Sequence, residues 1–224
     1  MTHLDIELKR LKEETVEMFD LVTSQLKKAK QAMLNDDQEL AREINFNERR
    51  VNALELKIDK DCENIFALFN PLAVDLRFVL AALKINSNLE RVGDIADGIA
   101  RYVAETDSSF DKELMTVTQI ADMFDIAISM LEDVRSSFET ENTKLSRGIF
   151  MKDDSLDEIN AKANSVVEAF IISHTDKIPQ CLHVISTIRK LERTGDQVKN
   201  VAEEIIFYIE AKVLKHLSSK AKAE

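Results

Sequence analysis

Apolar residues recur three and four positions apart along most of the chain, which marks helices with one buried face. In the first run Leu4, Leu8, Leu11, Met18, Val22, Leu26, Ala29 and Met33 share a face. The stretch "NDDQE" (35–39) interrupts it, and Asp36 followed by Glu39 predicts a capping box that opens a second helix. That helix is expected to reach about Phe69, with Leu40, Ile44, Val51, Ile58, Cys62, Ile65 and Phe69 inward. Asn70-Pro71 predicts an N-cap with proline at the first position of a third helix, which runs to about Val103. After the loop-like "AETDSSFD" (104–111) the pattern restarts. Leu114, Val117, Ala121, Phe124, Ile128, Leu131, Val134 and Phe138 predict a fourth helix. A fifth is expected over roughly 145–174, and a sixth opens at Pro179 and ends near Leu217, before a frayed "SSKAKAE".

The six predicted helices repeat as two sets of three. "LERVGD" (Leu89–Asp94) lies in the third and "LERTGD" (Leu191–Asp196) in the sixth, 102 positions later. Long helices with short connections pack as antiparallel neighbours. The fold expected is therefore all-α: two tandem three-helix bundles, 1–106 and 107–224, related by internal duplication.

Composition supports this and removes several functions. Four Gly and two Pro in 224 residues are too few to punctuate a strand-rich fold. The net charge of −11 disfavours general binding to nucleic acid or to an anionic membrane. Charges every few residues from Met1 onward rule out a signal peptide, and no run approaches the ~18 apolar residues of a membrane span. Cys62 and Cys181 fall on apolar stripes and read as buried, reduced thiols, so the expected location is the cytoplasm.

The polar positions carry the candidate chemistry. On a wheel of ~100° per residue with Glu90 at zero, Asp94 lies at ~40° and Asp97 at about −20°. The apolar Phe78, Ile85, Leu89, Ala96 and Val103 cluster around −120°. Three carboxylates thus form a stripe beside the core face, with Gly93 between the two groups and room for a neighbour to approach it. The second helix has a matching stripe of Glu48, Asn52, Glu55 and Asp59. The second half repeats both, as Asp153, Asp157, Asn160 and Asn164 and as Glu192 and Asp196. There Lys199 replaces Asp97, and Glu203 falls on the same face. Like charges at this spacing repel unless something cationic compensates.

If the stripes face each other, the oxygen donors suit hard or borderline cations. Candidate ions are iron, manganese, magnesium, zinc or calcium. The competing reading is a solvated acidic face neutralised by Arg49, Arg50, Arg91 and Arg193. No Glu-x-x-His pair, phosphate loop, nucleophile elbow or Cys-x-x-Cys is present, so no catalytic residue is assigned.

These motifs resemble the PhoU family of phosphate-signalling proteins. Beyond the two hexapeptides the resemblance extends to "VNALELKID" (51–59), "NPLAVDLRFVLAALKI" (70–85) and "IFYI" (206–209). It implies a non-enzymatic cytoplasmic regulator that restrains the phosphate-starvation response when phosphate is plentiful. The implied partners are the ATPase of the phosphate ABC transporter and its sensor histidine kinase. Metal clusters held by a Glu-x-x-x-Asp element are also implied, here Glu90/Asp94, Glu192/Asp196 and Glu55/Asp59. Asn160 and Asn164 depart from that element and imply a weaker second site. The elongated bundles, with apolar stripe to spare, favour a homodimer. Alternative roles are an accessory regulator of a low-affinity phosphate permease and a carboxylate-type metal-binding or storage protein.

Overall fold

The computed structural model describes residues 2–106 and 109–214. Its helices are α1 (His3–Asn35), α2 (Gln38–Phe69), α3 (Ala73–Glu105), α4 (Lys112–Val117), α5 (Ile120–Thr140), α6 (Thr143–Ser173) and α7 (Ile178–Glu210). A short 3-10 turn, Thr175–Lys177, precedes α7. The architecture is the expected all-α pair of three-helix bundles: α1, α2 and α3 form the first, and α4/α5, α6 and α7 the second.

The helix starts are set by side chains that accept from otherwise unsatisfied backbone N–H groups. Thr2 and Asp5 form a reciprocal capping box on α1. Asp37 accepts from the Leu40 N–H at 2.9 Å, and Asp111 and Asn142 cap α4 and α6. Asp36 therefore does not cap α2 as expected. It closes α1 in the left-handed conformation (φ 55°), and its carboxylate accepts from the Phe110 N–H at 3.1 Å. Asn70 likewise ends α2 (φ 48°) instead of opening α3, because Pro71 and Leu72 lie outside both helices and α3 begins at Ala73. Pro179 sits in the first turn of α7, as predicted.

The expected fourth helix is broken in two. Gln119 adopts φ 54°, and the Thr118 hydroxyl donates to the Leu114 carbonyl at 2.7 Å, closing α4. The break resets the register, so Ile120, Met123 and Phe124 enter the core while Val117, predicted inward, is exposed. The helix expected to end near Leu217 ends at Glu210, on Ala211 at φ 56°. Leu217, the tail after it and residue 107, where the second bundle was expected to begin, lie outside the described residues.

The two bundles share one continuous hydrophobic core. α3 packs along α7 and α1 along α5, leaving α2 and α6 on the flanks. Phe19, Phe78, Phe138 and Tyr208, one from each of these four inner helices, form a ring cluster with centroids 5.6–6.0 Å apart. Such contacts add about 0.5–1.5 kcal/mol per pair beyond burial. Outside it, Lys12–Glu141, Lys30–Asp125 and Arg135–Asp20 tie α1 to α5, exposed pairs that set orientation more than stability. Cys62 and Cys181 are buried and unpaired.

Candidate functional site

The acidic stripes do face each other. In the first bundle Glu48 and Glu55 on α2 stand opposite Glu90, Asp94 and Asp97 on α3. Burial, then the charges of Asp94, Asp97 and Glu90, push the Glu48 carboxyl up to about 7. Burial with Asp59 and Asp94 raises Glu55, and burial with Asp94 and Glu55 raises Glu90. Among the described residues no three acids are drawn around a common point.

The residues differ in exposure. Glu48 and Asp97 are buried, Glu55, Asp59 and Glu90 half-buried, and Asn52 and Asp94 exposed. Asp97 accepts from the Asn45 amide at 2.6 Å and pairs with Arg101 at 2.5 Å. Asp59 accepts from Asn86 at 2.8 Å. Of the two buried acids, Glu48 is the one without a partner. Its side chain is only 7% exposed, yet neither carboxylate oxygen accepts a hydrogen bond. Gln25 of α1 lies beside it and slightly offsets its rise, though the Gln25 amide is itself unsatisfied. A buried, unpaired carboxylate within an acidic cluster is costly unless a cation completes it.

Gly93 explains why the repeated hexapeptide contains glycine. A Cβ there would stand 3.0 Å from Val51 Cγ1 and 3.4 Å from Glu48 Oε2. A Cβ on Gly195 would meet Leu156 Cδ1 at 2.6 Å and Asp153 Oδ1 at 2.7 Å. In both copies the missing side chain lets the acid of the neighbouring helix lie against the backbone.

The second site is built differently. Asp153 is buried, and the Lys199 ammonium donates to its Oδ2 and to Asp196 Oδ1, the latter at 2.8 Å. Burial disfavours that ammonium, but its bonds to Asp153 and Asp196 outweigh this and hold Lys199 above the ordinary lysine value. Burial raises Asp153, with Lys199 opposing, and burial with Asp196, Asp157 and Asp153 raises Glu192. Asp157 is exposed, and Asn164 accepts from Arg189 at 3.5 Å. Glu203 lines a separate recess with Lys84, Glu204 and Phe207.

A cleft of about 690 Å³ along the α3–α7 seam is lined by Asp94 and Asp97 of the first site, Asp196 of the second, and Arg91, Lys190 and Arg193 among others. Of the arginines expected to neutralise the stripes, Arg91 eases Glu90 only as the smallest influence on it. Among the described residues, the cations paired with these acids are Arg101 and Lys199. The sequence reading missed Gln25, Asn45 and Asn86. Asn45 and Asn86 lie one turn before Glu48 and Glu90 on the same stripes and were legible by spacing. Gln25 was not, since it comes from a third helix.

The PhoU domain model matches the chain twice, at residues 15–103 and 120–205. Phosphate-specific transport system accessory proteins PhoU are similar over nearly the whole chain. The one from Edwardsiella tarda is 31% identical over 94% of this chain and 86% of its own length. The homologue from Aquifex aeolicus (strain VF5) is 32% identical over 97% and 98%. The crystal structure of PhoU from Pseudomonas aeruginosa superposes with a TM-score of 0.87 at 25% identity, covering 94% of this chain and all of that one.

Proposed function

The chain belongs to the PhoU family, and from that premise we propose that it is a non-catalytic accessory regulator of phosphate uptake whose first bundle is pinned by a carboxylate-held cation. It acts in the cytoplasm on the ATPase of the phosphate ABC transporter and on the sensor histidine kinase, restraining both when phosphate is plentiful. No helix among the described residues is long and apolar enough to cross a membrane, which fits a protein that meets its transporter from one side. Leu68, Leu72 and Val74, exposed where α2 passes into α3, supply apolar surface for a homodimer.

The observation that carries the cation is Glu48: a buried carboxylate with two unsatisfied oxygens, facing acids from the next helix. The all-oxygen donor set suits a hard cation, which on binding would draw together acids that share no common point without it. Glu48, Glu90 and Asp94 would hold it, with Glu55, Asp59 and Asp97 at the margins and Asn52 at the exposed end. The bound ion would supply the positive charge that lets α2 and α3 close together. Gly93 provides the close approach, Asn86 and Asn45 orient Asp59 and Asp97, and Arg101 balances the charge of the buried Asp97. The surface a partner reads is then the outer face of a stiffened first bundle.

The test is co-purification of the full chain with the transporter ATPase and the kinase from phosphate-fed cells, with metal content measured in parallel. Glu90→Gln with Asp94→Asn should lower both bound metal and ATPase recovery. Full recovery with metal gone would remove the pinning role, and capture of a low-affinity permease in place of the ATPase would reassign the partner.

A further inference from the structure

The second bundle departs from the first at several points on the same stripes, and the departures act together. Asn160 and Asn164 stand where the first copy has Glu55 and Asp59, and Lys199 stands where it has Asp97. Asp153, the counterpart of Glu48, is equally buried but not orphaned: it accepts from Lys199. The same ammonium binds Asp196, the last letter of the repeated hexapeptide, at 2.8 Å. One charged group thus spans α6 and α7 at the place where the first bundle leaves buried carboxylate oxygens unsatisfied. Its side chain is only 23% exposed, so the ammonium sits inside the site and not over it.

We propose that Lys199 is the resident cation of the second bundle: its ammonium does there, covalently and permanently, what a bound metal ion does in the first, so that this half is closed without metal and takes none up. The comparison rests on the cation reading of the first bundle, but the role of Lys199 itself does not. A metal ion entering the second site would have to displace an ammonium already bonded to two of the four remaining acids, Asp153, Asp157, Glu192 and Asp196. It would also lack the two carboxylates that asparagine has replaced. The duplicated protein is then asymmetric by construction. Metal availability tightens or loosens α2 against α3, while α6 and α7 stay latched.

The experiment uses the full chain, stripped with chelator and re-equilibrated with Mn²⁺, reading bound manganese and Tm together. In the wild type, Glu90→Gln/Asp94→Asn should abolish bound manganese. Asp157→Asn/Glu192→Gln, which leaves both partners of Lys199 in place, should leave it unchanged. In chelator, Lys199→Met should lower Tm by roughly 5–10 °C, since it strands a buried carboxylate. Mn²⁺ should restore that loss and raise bound manganese above the wild-type amount. Adding Asp153→Asn to Lys199→Met should cancel the extra manganese and recover part of the Tm without metal. Lys199→Gln gives the same readouts if the methionine variant does not fold.

The inference is overturned if Asp157→Asn/Glu192→Gln removes manganese while Lys199 is intact. It is equally overturned if the Lys199 variants fold but neither lose stability in chelator nor gain metal. A wild type that binds no manganese, with a Lys199→Met variant that does, would sink the cation reading of the first bundle and leave this one standing. Manganese bound only through Glu90 and Asp94, in the wild type and in the Lys199 variants alike, would do the reverse.

Discussion

Glu48→Gln should make the metal-free protein more stable, and by an amount that depends on pH. The carboxyl of Glu48 is pushed from an ordinary 4.5 up to about 7 by burial and by Asp94, Asp97 and Glu90. In the unfolded chain it ionises near 4.5. Between those two values the folded protein holds the proton more tightly than the unfolded one, so stability falls as pH rises through this window. Above about pH 7 the loss is complete. At about 1.4 kcal/mol per pH unit it amounts to roughly 3 kcal/mol. Glutamine keeps the shape and the neutral state at every pH, and its amide can bond the unsatisfied Gln25. The expected gain is therefore near zero at pH 4.5 and roughly 3 kcal/mol at pH 8, or about 6–12 °C in Tm for a chain of this size. Thermal unfolding by circular dichroism, in chelator at both pH values, measures it. Added Mn²⁺ should reverse the order, since only the wild type keeps the carboxylate. A gain equal at both pH values, or a loss at pH 8 in chelator, would refute the claim that Glu48 is held among uncompensated charges.

Other expectations can be checked with the same instruments. Gly195→Ala should cost roughly 1–3 kcal/mol in urea unfolding, because overpacking against Leu156 and Asp153 outweighs the helix propensity alanine adds. Gly93→Ala, with its nearest contact at 3.0 Å, should cost less, staying within about 1 kcal/mol of the wild type. The Glu210 carboxyl is pulled down to about 2 by bonds from Thr143, Lys212 and Arg147, so its contribution is present above pH 4.5 and lost as pH falls toward 2. Glu210→Gln should therefore flatten the acid limb of a stability–pH curve and destabilise at pH 7 but not at pH 2. Gln119→Gly should stabilise by up to about 1 kcal/mol, because glycine adopts the φ of 54° without strain.

The sequence alone determined the helices and the duplication, because both are local. An apolar stripe at 3.6-residue spacing is a property of one segment, and so is a hexapeptide repeated at matching places. It also placed the acids on the edges of those stripes, for the same reason. What it could not supply was the neighbour. Whether Asp36 or Asp37 caps α2 depends on Phe110, 74 residues away, drawing Asp36 aside. Whether Val117 is buried depends on the break at Gln119, which lets Ile120 and Met123 meet helices already in place. The acids met across helices only when Gly93 and Gly195 let α2 and α6 come close, leaving Glu48 unpaired in one bundle and Asp153 held by Lys199 in the other. Periodicity assigns a face to each residue, but only packing decides which charge stands opposite it.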